Sequence, residues 1–175
     1  LAAWPVRADT FLVGVENIEY MPYFSVIGTE YVGFARELLD TYALERGHKF
    51  RYKPYPIKRL HNDLASGKID FKFPDNPKWR GKDRTQLHFS APVTDYEEGA
   101  NVTPEQYGKP ISIIAVIRGF TPVPFLERID RGEIELSEHN SLRAALNFTL
   151  LGRADAVYGE RRVVQYYLRH LLGRP

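Results

Sequence analysis

The apolar residues of this chain come in short blocks whose spacing alternates between that of strands and that of helices. Phe11-Leu-Val-Gly-Val15 is apolar on both faces and predicts a buried strand. A loop rich in aromatic residues follows, with Tyr20, Pro22, Tyr23 and Phe24 ahead of Gly28. From Gly33 to Arg46 the pattern turns helical. Phe34, Leu38 and Tyr42 fall on one apolar stripe with Ala35 and Leu39 beside it, while Arg36, Glu37, Asp40 and Glu45 lie mainly opposite. Gly47 is placed to end that helix as a left-handed cap. Lys49 to Tyr55 alternates, with Phe50 and Tyr52 on one face, and predicts a strand. Pro56 opens a second helix, whose stripe is Ile57, Leu60 and Leu64 and whose end is Gly67. Ile69 to Phe73 alternates again. Strand, helix, strand, helix, strand is the pattern of right-handed parallel crossovers.

Pro74 to Arg84 reads as a loop holding Asn76, Trp79 and several charges. Leu87 to Thr103, with Pro92 and Gly99, reads as an extended passage between lobes. The alternation then restarts. Ile111 to Ile117 predicts a buried strand, Pro124 to Asp130 a short helix, and Ile134 to Leu136 a short strand. Ser141 caps a helix with the stripe Leu142, Ala145, Leu146, Thr149 and Leu150, ended by Gly152. Ala154 to Tyr158 predicts a strand, and Glu160 to Leu172 a final helix with Val163, Val164, Tyr167, Leu168 and Leu171 facing inward. The expected fold class is α/β, in two lobes that are each a mainly parallel sheet flanked by helices. Lobe one is expected over residues 9–92, a crossing segment over 93–98 and lobe two over 99–175.

Composition narrows the function. With 43% hydrophobic and 26% charged residues, the 175-residue chain can build a core without disulfide staples. Its 24 basic residues are dispersed among 22 acidic ones for a net charge of +2. Nucleic-acid binders concentrate their positive charge, so no nucleic-acid partner is expected. There is no cysteine, which excludes disulfides, thiolate catalysis and cysteine-ligated metal. No apolar run approaches the roughly 18 residues of a membrane span. Leu1 to Ala8 precede the first strand, and Val6-Arg7-Ala8 reads either as the remnant of a signal peptide or as a loose tail.

The chain carries no HExxH, GxSxG, Walker or GxGxxG motif. Among His48, His61, His88, His139 and His170 no two lie within one helical turn, so no metal site is expected. Spacing alone pairs no two carboxylates for acid–base work. The expectation is therefore no catalytic residue, no metal and no cofactor. Arg80, Lys82 and Arg84 form a small basic cluster, either a solvated loop or an anion clamp.

Several of these pieces, taken in order, carry a resemblance. They are Val13-Gly14-Val15 with the aromatic loop Tyr20 to Phe24, Gly33-Phe34 opening a helix, Leu64-Ala-Ser-Gly-Lys-Ile-Asp70, Phe89-Ser-Ala-Pro92, and Leu151-Gly-Arg-Ala-Asp-Ala-Val157. Over nearly its whole length the sequence is similar to bacterial extracellular solute-binding proteins of family 3, the polar amino acid group. The resemblance implies a periplasmic-binding-protein-like fold of two lobes with a small solute between them. It also implies an extracytoplasmic, periplasmic location and delivery to the permease of an ABC transporter. Phe71 to Trp79 looks like a subgroup variant.

Residue by residue, Gly119-Phe120-Thr121 matches the family's glycine–threonine turn, and Glu160 stands where the family places its amine-binding acid. Tyr20 and Tyr23 match the aromatic loop. Asn76 and Trp79 join the candidates for ligand binding, with Arg80 and Arg84 for a carboxylate. The family's usual arginine position holds Asp83, with Arg84 next to it, which implies a different ligand or a different carboxylate geometry. The sequence also stops at Pro175, where family members run on and return to lobe one; it is either cut or naturally short. Such a lobe one is expected to expose an apolar patch or a strand edge and to self-associate through it, or to be the less stable lobe. Three other readings stay open: the sensing domain of a membrane receptor, a cyclohexadienyl-dehydratase-like enzyme with Glu160 as its acid, and an interaction module using the loop from Arg80 to Arg84.

Overall fold

A run of β-branched and aliphatic residues makes β1 (Thr10–Glu16) the central strand of a three-stranded sheet. The computed structural model describes residues 9–80, 87–171 and 173. The leading segment Leu1 to Ala8, the basic-cluster residues Lys82 and Arg84, Asp83 beside them, and Leu172 lie outside these. The chain divides into two units. The first runs to Glu19 and from Tyr23 to Asp75; the second takes Tyr20–Pro22 and the chain from Asn76 onward. Residues 76–80 and 87–92, expected in the first lobe, thus group with the second unit.

In the first unit β1 pairs in parallel with β4 (Lys49–Tyr55) along its whole length, Thr10 opposite Lys49 and Glu16 opposite Tyr55. On its other edge Val13–Val15 pairs in parallel with β5 (Phe71–Phe73). The crossovers are α1 (Phe34–Glu45) and α2 (Ile57–Ala65). Gly14 lets α2 approach the sheet, because a Cβ there would run into the side-chain ends of Leu60 and Ile69. Tyr55, Leu60 and Ile69 form the core on that side, with Leu12 and Leu64 against them.

Two features differ from the sequence reading. The aromatic loop contains a small antiparallel hairpin, β2 (Ser25–Ile27) and β3 (Glu30–Val32), turned at Gly28 with φ 63°. The inward face of α1 is Ala35 and Ala43, whereas Phe34 and Tyr42 are exposed. Small residues bring the helix close to the sheet, and the large rings lie along its margins, Tyr42 beside Phe50 and Phe34 beside Tyr23.

The second unit has a four-stranded sheet in the order β6-β9-β7-β8. β7 (Ile113–Ile117) runs parallel to β8 (Glu135–His139) and β9 (Ala156–Glu160), and β6 (Glu98–Asn101) is antiparallel to β9. Only those four residues of the expected extended passage are strand. The helices are α3 (Leu126–Asp130), α4 (Leu142–Leu150) and α5 (Arg161–Tyr166), the last continuing as one π-helical turn over Tyr167–Leu171. The Ser141 hydroxyl accepts the Ala144 N–H at 3.2 Å, the expected cap of α4. The stripe beneath it, Leu142, Ala145, Leu146 and Thr149, is buried. Ile114, Val116, Ile134, Ala156 and Tyr158 form the core.

Candidate functional site

Open α/β sheets bind ligands outside the carboxyl ends of their parallel strands, where side chains of several strands converge. In the second unit those ends include the turn after β7 and the last residue of β9. Gly119 has φ 97°, a value a Cβ makes costly, and this bend returns the Phe120 N–H to the Ile117 carbonyl at 3.0 Å. Thr121 follows at the bend, half-buried, its carbonyl accepting the Val123 N–H at 2.8 Å. Glu160 ends β9 and caps α5: its Oε2 accepts the Val163 N–H at 3.0 Å. A carboxylate belongs there, because the first N–H groups of a helix lack intrahelical acceptors.

Tyr20 joins these groups. The Glu160 N–H donates to the Tyr20 hydroxyl at 2.9 Å. The Tyr20 ring packs edge-on to Phe120 at 5.4 Å and stacks on Tyr96 at 6.5 Å, and Tyr96 meets Trp79 edge-on at 6.3 Å. Asn76 opens the short turn that carries Trp79. Its Oδ1 accepts the Lys78 N–H at 2.9 Å and its carbonyl accepts the Trp79 N–H at 3.0 Å. The described residues therefore bring Phe120, Tyr20, Tyr96 and Trp79 into one aromatic row, with Glu160 bonded to it at Tyr20. Both Tyr20 and Glu160 are fully buried, so each contributes to the packing of the second unit itself. Arg80 closes the turn Pro77–Arg80, and Arg84 lies outside the described residues.

This predicts the effect of Tyr20→Phe. The ring stays, but the buried Glu160 N–H loses its acceptor, at a cost of about 1–3 kcal/mol. A lower urea midpoint with unchanged slope is the expected result. An unchanged midpoint would mean that the hydroxyl does not hold the end of β9.

In the first unit the expected residue Tyr23 is buried. Its carbonyl accepts the Ala35 N–H at 2.9 Å, which ties the aromatic loop to the start of α1. The larger polar feature there was not legible in the sequence. Glu16 ends β1, Lys72 sits in β5, and Asp75 follows the cis Phe73–Pro74 bond. Lys72 Nζ lies 3.7 Å from Glu16 Oε1 and 3.1 Å from Asp75 Oδ1, and donates to the Pro74 carbonyl at 2.8 Å. The Lys72 side chain is 1% exposed. Burial pushes the Glu16 carboxyl up to about 7; Lys72 opposes the shift and Asp75 adds to it. Tyr31 brings a buried hydroxyl with no hydrogen-bond partner among the described residues, close enough to Glu16 to feel its charge. The signal that could have found this cluster is a lysine in the middle of an otherwise apolar strand, three residues before an aspartate.

No protein-family model and no curated protein sequence matches the chain. Solved structures do. An ancestral amino acid-binding protein, a precursor of cyclohexadienyl dehydratase, matches with a TM-score of 0.71 at 22% identity, over 92% of this chain and 75% of that one. The periplasmic VFT2 domain of Bordetella pertussis BvgS matches with a TM-score of 0.70 at 19% identity, over 93% and 71%. An arginine 3rd transport system periplasmic binding protein from Legionella pneumophila matches with a TM-score of 0.71 at 15% identity, over 93% and 73%. The likeness is one of fold. The chain has the α/β fold of periplasmic binding proteins, as the family 3 resemblance implied.

Proposed function

We propose that this chain is an extracytoplasmic solute-binding protein of family 3 that holds a small polar solute, an amino acid or a related organic acid or amine, and performs no chemistry on it. The observation that supports this reading most is where the polar groups stand. On a fold shared with amino acid-binding proteins, Glu16 and Lys72 in one unit and Thr121 and Glu160 in the other stand at or near the carboxyl ends of parallel strands. Tyr20, Tyr23, Asn76, Trp79, Arg80, Arg84 and Gly119 complete the proposed ligand-binding set. Transporter delivery is the first reading, since a similar fold serves an arginine transport system. Sensing by a membrane receptor is the second; a similar fold forms the periplasmic VFT2 domain of BvgS. The dehydratase-like alternative has Glu160 as its acid, and that carboxylate is engaged as a helix cap.

Equilibrium dialysis against mixed amino acids, small organic acids and polyamines tests the reading, with the retained solute identified by mass spectrometry. One solute class retained at a fixed ratio to protein, and recovered unchanged, is the expected result. No retention, or recovery of a dehydrated product, would overturn it. Self-association through the first unit belongs to the same proposal, on the exposure of Phe34, Tyr42 and Phe71 there. Light scattering over a range of protein concentrations reads it, and a strictly monomeric chain would remove it.

A further inference from the structure

Lys72 is where the first unit departs most from what its sheet needs. An ammonium has three N–H donors, and being fully buried it must find an acceptor for each. Among the described residues it donates to Pro74 O at 2.8 Å and to Asp75 Oδ1 at 3.1 Å, and it pairs with the Glu16 carboxylate at 3.7 Å. These three oxygens come from the end of β1 and from the turn after β5, and they surround one point. A hydrophobic side chain of similar length in place of Lys72 would leave two buried carboxylates facing each other, so the lysine is not interchangeable filler. The buried Tyr31 hydroxyl, which has no hydrogen-bond partner among the described residues, is near enough to Glu16 to feel its charge.

We propose that the oxygens of Glu16, Asp75 and Pro74 form a binding cage for a primary ammonium group, and that Lys72 is a tethered cation which fills this cage and so keeps solutes with cationic side chains out of the first unit. The second half rests on the solute-binding function proposed above; the first half does not. Lys72 is on this account a specificity-determining residue. It satisfies from within the carboxylates that an amine or guanidine would otherwise seek, and it leaves the first unit suited to neutral or anionic ends of a solute.

The test removes the tether and returns its head group. Lys72→Ala deletes the last three methylenes and the ammonium, which is the size of n-propylammonium. The full chain is unfolded in urea at pH 8 with rising n-propylammonium chloride, against sodium chloride for ionic strength and n-propanol for the apolar part. The variant's midpoint should rise with n-propylammonium alone, with an apparent affinity at least about tenfold above any shown by the wild type. If Lys72→Ala does not fold unaided, refolding yield is read by near-ultraviolet circular dichroism, and recovery specific to n-propylammonium supports the cage. No response of the variant to the ammonium, in either format, overturns the cage.

Agmatine, which carries an amine and a guanidine, reads the specificity half. It should bind Lys72→Ala at least about tenfold more tightly than the wild type. Equal binding to both overturns the exclusion role. Rescue by n-propylammonium in a protein whose wild type retains no solute in dialysis would leave the cage standing and remove the binding function, so the two failures are separable.

Discussion

Lowering the pH from 8 to about 4.5 should strengthen the fold through Glu16 by about 3 kcal/mol. The carboxyl has its ordinary value of 4.5 when exposed and about 7 when buried at the end of β1. The folded state therefore holds a proton between these values that the unfolded state has released, and stability falls as pH rises across that window. The contribution is complete below about 4.5 and lost once the pH has passed through about 7. Each pH unit of difference is about 1.4 kcal/mol, which gives the figure above. Other carboxylates titrate in the same range, so the measurement is a difference between wild type and Glu16→Gln. Urea unfolding of both proteins at several pH values should show the wild type losing about 3 kcal/mol relative to the variant from pH 4.5 to pH 8. A difference that stays flat, or grows in favour of the wild type at high pH, would show that the pairing with Lys72 outweighs burial.

Gly33→Ala should cost about 3 kcal/mol or more. Gly33 precedes α1 with φ 104° and ψ −177°, a region essentially closed to residues with a side chain, at a strain of order 1–3 kcal/mol. Space adds to conformation. A Cβ at this position would stand 2.8 Å from the Tyr23 carbonyl oxygen and 3.0 Å from Phe24 Cα. Both are backbone atoms, and the Tyr23 carbonyl is held by the Ala35 N–H, so neither can swing aside as a flexible side chain could. The urea midpoint is expected to drop accordingly, with the loss of the tie between the aromatic loop and α1. A loss under about 1 kcal/mol would mean that this turn relaxes far more easily than its contacts imply.

The sequence showed elements best where local pattern and packing agree. β4 matches its expected span because Phe50, Tyr52 and Pro54 alternate with charged residues, and α4 matches because Ser141 marks its start and Gly152 its end. The β2–β3 hairpin escaped because its strands are three residues each, shorter than any alternation can reveal, inside a stretch whose aromatic residues read as loop. The orientation of α1 was misread because hydrophobic pattern weighs Phe34 and Tyr42 above Ala35 and Ala43. Close approach to a sheet favours the small residues. The chain from Asn76 onward groups with the second unit, where Trp79 meets Tyr96 edge-on.

The site was partly legible. Of the candidate residues Tyr20 and Glu160 meet in the second unit, through a hydrogen bond that no spacing could have announced, and Phe120, between Gly119 and Thr121, packs on the Tyr20 ring. In the first unit a polar residue alternating with Phe71 and Phe73 reads as solvent-facing. Only the fold brings Glu16 and Asp75 to Lys72 and makes it buried.

The central claim, that this fold holds a small polar solute, is tested most directly by the unfolding midpoint of the wild-type chain across a solute panel. Amino acids with neutral, acidic and basic side chains, small organic acids and polyamines are each added at increasing concentration, and urea unfolding is followed at fixed pH and ionic strength. A bound solute at a hundred times its dissociation constant should add about 2.7 kcal/mol. The account predicts such a gain for one chemical class, with basic amino acids not among the strongest. No gain from any member of the panel, with the protein folded throughout, would contradict it.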